Sequence, residues 1–259
     1  MKYGVDVSSY QSPSMVPAGL DFVVARATYG RSRDKRAVAH VAQARARGAV
    51  VGLYHFFVPS QSVADQLAAF DAAADACGLT VGDLIPFVDV EAYPSGGGWV
   101  QPCPEWVASL RLLVDGMRRT WGGCGVYLTS ADWRKLGEPR WLLECPLWIA
   151  HWIGERQPAV PRGTLWALHQ YRVGPYQRGA NHVVGQERDP LAIDHDRALV
   201  LPTITAAHTR PGVTAGAVPM IDLYDEAIDD VRRERDATVA EDWAPDVAPG
   251  DRGHGGGIA

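Results

Sequence analysis

Asp89 and Glu91, in the stretch IPFVDVEAYP, are two acids one residue apart at the end of an apolar run. In a strand, residues i and i+2 face the same side with Cα atoms about 6.5–7 Å apart. The pair therefore projects together while Val90 faces the other way. Two carboxylates this close repel, so the proton affinity of one rises and a neutral acid persists beside an ionised one near neutral pH. Cleavage of a glycosidic bond needs that combination. An isolated Asp-x-Glu at a strand end is more often a solvated pair than a site. Asp6 in YGVDVSS and Asp194 in PLAIDHD change the weighing, because each follows a short apolar run in another strand-like segment. Three strands each delivering acid at the same relative place predict one pocket.

The elements that must carry these acids alternate. YGVDVSS, FVVARATYG, AVVGLYHFFVP, LIPFVDVEAY, CGVYLTS, PLWIAHW, TLWALHQYR and PLAIDHDRAL read as strands. DKRAVAHVAQARARG reads as a helix closing on Gly48, and SVADQLAAFDAAADACG as a second with Ser62 and Asp65 at its start. CPEWVASLRLLVDGMRRTWGG reads as a third, long and amphipathic. Alternating β and α units build a parallel sheet with helices outside, and acids at the C-terminal strand ends are where such barrels assemble their sites. The later strands have little helix between them. The expectation is thus an α/β fold, a distorted barrel, with a flexible acidic extension at the C-terminus.

Composition excludes several classes. The 259 residues are 47% hydrophobic and 21% charged, enough for a buried core, and no stretch is apolar enough to span a bilayer. The net charge of −5 is uneven: the segment from Pro219 onward holds 11 acidic and 4 basic residues, so the body is mildly basic. There is no basic groove interleaved with aromatics to bind nucleic acid. Cys77, Cys103, Cys124 and Cys145 form no CxxC pair, and read either as buried thiols or as one or two disulfides. His55, His151, His169 and His195 follow strand-like runs, but without H-x-H or H-E-x-x-H spacing they do not read as a metal site. Ser8 and Ser130 lie outside any G-x-S-x-G context. No metal and no cofactor are expected.

The segments GVDVSSYQ, FVVARATYG, GLYHFF, PFVDVEAY, GVYLTS, PLWIAHW, LHQY and AIDHD, in that order, resemble those of the family 25 glycoside hydrolases, the lysozymes (N-acetylmuramidases) of bacteria, fungi and phages. The resemblance spans roughly residues 3–200. It implies an irregular, flattened TIM-like α/β barrel that cleaves the β-1,4 bond between N-acetylmuramic acid and N-acetylglucosamine in peptidoglycan. By the same resemblance Glu91 matches the general acid, Asp89 its partner carboxylate, and Asp6 and Asp194 the two further acids of the pocket. Tyr54, Tyr127, Trp152 and Gln170 match segments lining the groove, where aromatic faces meet sugar rings. Two departures stand out: Arg26-Ala27-Thr28-Tyr29-Gly30 where KATEG is frequent, and Asp194-His195-Asp196 where Asp-x-Asn is common. The Gly-rich YPSGGGWVQPCPEW after Glu91 carries two tryptophans and is expected to form a mobile rim.

Residues 1–201 thus read as the catalytic barrel, 202–218 as a Pro/Thr/Ala-rich linker, and 219–259 as an acidic tail. Within the tail an amphipathic helix over 219–235 carries a short apolar stripe suited to docking on a protein partner or on the barrel. The expected partner is the peptidoglycan glycan strand, with no nucleic acid and no membrane. With no Sec-type signal at the N-terminus, the expected route to the cell wall is phage-type lysis or carriage on a phage-like particle. The rival reading is a catalytically weak wall-binding or particle-structural module on the same barrel.

Overall fold

The computed structural model describes residues 1–161, 164–174 and 193–205. Eight strands close into a barrel: β1 (Lys2–Val7), β2 (Phe22–Tyr29), β4 (Val50–Phe56), β5 (Phe87–Asp89), β8 (Gly125–Leu128), β9 (Leu147–Ala150), β10 (Trp166–Gly174) and β11 (Ile193–Ala198). Neighbours from β1 through β10 pair in parallel, whereas β11 runs antiparallel between β10 and β1 and completes the ring. Two short additions lie outside the ring. β3 (Ser32–Arg33) extends the edge of β2, and β6 (Tyr93–Ser95) pairs with β7 (Gly98–Val100) as a hairpin.

Helices α1 (Ala37–Ala46), α2 (Val63–Cys77), α3 (Val107–Trp121) and α4 (Ser130–Lys135) cross over between the consecutive strands from β2 to β9. Ser62 caps α2 by accepting from the Asp65 N–H, and Gly78 ends it in the left-handed conformation. Along α3, Leu110, Leu113, Val114, Met117 and Trp121 form the buried stripe. Its Trp121 indole donates to Asp71 of α2 at 3.0 Å. Past β9 no further helix lies outside the ring among the described residues, and that is the irregularity read from the sequence. Residues 202–205, read from composition as the start of a linker, are pinned to the body. Ile85 and Gly82 donate backbone hydrogen bonds to Pro202 and Ile204, and Ile204 is buried. The remainder of that linker and the 219–235 helix lie outside the described residues.

The apolar run before Asp89 makes less strand than it promises. Pro86 has no N–H to give a ladder, and Leu84 and Ile85 donate instead to Val51 and Pro202. Only Phe87–Asp89 is strand, so Glu91 stands in the following loop rather than on the strand itself. Asp194 also corrects the simplest reading. It is at the start of β11, not at its end, and it reaches the same rim because β11 is reversed: Asp194 pairs directly with Asp6. The Gly-rich segment is the β6–β7 hairpin, turned by Gly96 and Gly97 with φ of 59° and 84°. A two-residue turn with φ positive at both centres matches the twist of the flanking strands. The four cysteines are free thiols. Of the histidines, His55 is held between Thr28 and Gln66, and His169 between the His151 carbonyl and Arg197.

Candidate active site

A cleft of about 470 Å³ opens at the C-terminal ends of the parallel strands. Asp6, Asp89, Glu91 and Asp194 all line it. So do Tyr54, Tyr127, Trp152 and Gln170, so every residue singled out from the sequence reaches one cavity. The floor is Trp148, fully buried, with its ring meeting Tyr54, Phe87 and Tyr127 edge-on at centroid distances of 6.0, 5.5 and 4.8 Å. Edge-to-face pairs of this kind contribute about 0.5–1.5 kcal/mol each beyond their burial, so the floor is stiff.

Gln170 organises one wall. A bulge between Gln170 and Arg172 in β10 kinks the strand at this point. The Gln170 amide oxygen accepts from both Tyr127 Oη and Trp152 Nε1 at 3.0 Å. Its nitrogen must therefore face outward from that pair, and it donates to Asp6 Oδ2 at 2.8 Å. Asp196, one strand over, accepts from Trp148 Nε1 at 2.8 Å and lies beside Asp6. Its other oxygen has no hydrogen-bond partner among the described residues. Burial, then the Asp6 charge, pushes the Asp196 carboxyl well above the usual range. Asp6 itself is raised to about 6 by burial, with the Gln170 and Asp196 hydrogen bonds pulling the other way.

Asp89 and Glu91 are both raised, for different reasons. Asp89 is buried at the strand end, and its Oδ1 has no hydrogen-bond partner among the described residues. Burial, then the charges of Glu91 and Asp6, lift its carboxyl well above the carboxylate range. Glu91, half-buried in the loop, is pushed up to about 7 by burial and then by Asp132 and Asp6. Both acids of the pair thus favour their neutral forms, and Glu91 titrates near neutrality. Tyr54 and Tyr127 are held as neutral phenols by burial. The Tyr54 hydroxyl has no hydrogen-bond partner among the described residues and faces the cleft.

One charge that bears on the cleft carries no signal in the motif pattern. Asp132, in the first turn of α4, lies outside the cleft yet acts on Glu91 through its charge; its carboxylate accepts from Thr129 at 2.6 Å and pairs with Lys135. The two tryptophans of the Gly-rich segment part ways. Trp106 packs into the core against Phe57 and Tyr93, whereas Trp99, at the end of the hairpin, is 68% exposed and lines the cleft. Trp152, 45% exposed, offers a second open indole on the wall. A cleft with aromatic faces at its margins and carboxyls at its centre suits a chain of sugars.

The profile of the glycosyl hydrolases family 25 matches residues 5–179, about two-thirds of the chain. The chain belongs to family 25 of the glycosyl hydrolases. It is therefore a glycoside hydrolase, and the matched segment contains Asp6, Asp89 and Glu91, while Asp194 falls beyond it. Among solved structures the family 25 fold is similar to that of the bacterial lysozyme from Streptomyces coelicolor, at 26% identity and a TM-score of 0.59 over 76% of this chain and 91% of that one. The family 25 glycosyl hydrolase from Bacillus anthracis shares the fold at 21% identity and a TM-score of 0.59, over 76% and 88%. The catalytic domain of an endolysin from a bacteriophage of Listeria monocytogenes does so at 19% identity and a TM-score of 0.54, over 76% and 93%. No curated protein matches the chain.

Proposed function

We propose that this family 25 hydrolase is a muramidase that cleaves the β-1,4 bond between N-acetylmuramic acid and N-acetylglucosamine in bacterial peptidoglycan. The observation that carries the reading is the pair Asp89 and Glu91, both with raised proton affinity, beneath the open end of an aromatic-walled cleft. Glu91 is the general acid. Its titration near 7 keeps a proton available at neutral pH, and its loop position lets it reach the bridging oxygen.

Asp89 is the partner carboxylate. Its unpartnered Oδ1 is suited to accept the N–H of a substrate acetamido group. That hydrogen bond favours ionised Asp89, so with the sugar bound the proton of the pair is on Glu91. Ionised Asp89 then orients the acetamido oxygen toward C1. As Glu91 protonates the leaving oxygen, the C1–O bond breaks and the acetamido oxygen bonds to C1. Water, deprotonated by Glu91, next attacks C1 and releases the acetamido group, restoring both acids. Asp6, fixed by Gln170, and Asp194 contribute negative potential beneath the developing positive charge at C1. Tyr54, Tyr127 and Trp152 bear on the sugar faces and hydroxyls.

Mass spectrometry of digested peptidoglycan tests the assignment. The expected products carry reducing-end muramic acid; reducing-end glucosamine or freed stem peptides would overturn it. The tuning of Glu91 has its own test. Asp132→Asn removes a negative charge that raises Glu91, so Glu91 loses its proton below about 7. The alkaline limb of kcat/KM, where the acid is lost, should move to lower pH by about half a unit to one unit. An unmoved limb in a pH profile on solubilised wall fragments would remove Asp132 from the account.

The cell wall is the site of action this reading implies, with delivery by phage-type lysis or on a phage-like particle as the proposed route. The bacteriophage endolysin among the structural relatives is in keeping with it. The 219–235 helix is proposed as the element that docks on a protein partner.

A further inference from the structure

Among the described residues that line the cleft, Arg26 is the only cation, set among four acids. It is held rather than free to swing. Its Nε donates to Asp34 at 2.9 Å, Nη2 donates to Ser9 Oγ at 2.8 Å, and the guanidinium lies 5.4 Å from the Tyr10 ring centroid and 5.9 Å from that of Tyr29. Asp34 is itself fully engaged, accepting from the Ser9 and Arg36 amides. What these contacts leave over is Nη1, which takes no partner among the described residues. Tyr10 is 81% exposed at the cleft margin, so the fork stands beneath an open aromatic ring rather than under packed core. Position 29 supplies a ring and no charge, and it stacks on Phe56 at 4.3 Å.

A guanidinium fixed on one edge, lining a cleft and with Nη1 left over, is suited to receive a planar anion, because its orientation is set before the ligand arrives. Sugars of the glycan backbone are neutral apart from the lactyl carboxyl of muramic acid and the acids of any peptide attached through it. We propose that Arg26 is a specificity-determining residue that binds a carboxylate carried on the muramyl side of the substrate, so that the cleft selects acidic glycan over neutral glycan. This rests on the muramidase reading and adds to it the group by which the muramyl unit is distinguished.

The competing role for Arg26 is to offset the acids around it, since its charge opposes the rise at Asp6, Asp89 and Glu91. That role would shift the pH profile equally on every substrate. A carboxylate receptor instead discriminates between substrates at one pH.

The experiment measures dissociation constants calorimetrically with full-length protein carrying Glu91→Gln, so that no turnover occurs. Three probes share one glycan backbone: peptide-free strands with the lactyl carboxyl free, the same strands with it converted to a methyl amide, and strands bearing stem peptide. The expected result is binding of a carboxylate-bearing strand about tenfold tighter than the methyl amide, a preference that Arg26→Gln erases and 0.5 M salt weakens. Preference for the free lactyl strand names that carboxyl, and preference for the peptide strand names the peptide acids. Equal affinity for all three overturns the Arg26 site alone, and does so without the Arg26→Gln protein should that variant fail to fold. A preference that survives Arg26→Gln overturns it too. Binding to none of the strands would instead count against the glycan reading beneath it.

Discussion

Glu91→Gln should lower kcat on purified cell walls by about two to four orders of magnitude, the usual contribution of a positioned general acid. The same substitution should make the protein more stable at alkaline pH. A carboxyl whose folded pKa stands above its unfolded value binds its proton more tightly in the folded state. Its presence therefore costs nothing below the unfolded value of 4.5, and the folded state loses stability as pH rises toward about 7. Above that the cost is fully developed, of the order of 1–3 kcal/mol after allowing for the partial exposure of Glu91. Gln removes the charge and keeps the shape. Thermal unfolding at pH 4 should then be nearly unchanged, whereas at pH 8 the variant should melt a few degrees higher. Loss of activity with no pH-dependent gain in stability would mean that Glu91 is not held under electrostatic strain. Wall clearance equal to that of the wild type would remove it as the acid altogether.

The acids were legible because side-chain chemistry and strand period are both local. Asp6, Asp89 and Glu91 could be grouped by the apolar runs before them, and the order of eight short segments pointed to the family whose profile matches. Direction in the sheet is not local. Nothing in AIDHD distinguishes a strand that ends at Asp194 from one that begins there, and only the pairing with β1 shows that β11 is reversed. Strand length was overread for a related reason: LIPFV is continuously apolar, yet buried backbone can donate to partners outside a ladder, as Leu84 and Ile85 do.

The hairpin could have been found. Gly-Gly between Ser95 and Gly98 is a strong two-residue turn signal, and Trp99 follows it. Asp132 and Asp196 had no such mark. Their influence comes through distance to Glu91 and Asp6 across the fold, a quantity that spacing along the chain does not encode. The position of the proton is of the same kind. Burial is the largest cause of the raised proton affinity at both Asp89 and Glu91, and burial is a property of the fold.

The buried Oδ1 with no partner among the described residues makes Asp89→Asn the sharpest test of how the cleft works. If ionised Asp89 acts by gripping the acetamido N–H and aiming its oxygen at C1, the substitution should cut kcat by about two to four orders of magnitude with a small change in KM. Asn retains a carbonyl acceptor but has no charge to support the positive acetamido group that forms in the transition state. A second substrate separates this from general electrostatics. On N-deacetylated glycan the wild type has no acetamido oxygen to recruit, so its rate should fall close to that of the variant. Asp89→Asn should then cost little more on that substrate, because substitution and deacetylation remove the same step. Were Asp89 acting only by its charge near C1, the two losses would multiply instead. Full activity of Asp89→Asn on the acetylated glycan would exclude both roles, leaving its unpartnered oxygen without a catalytic use.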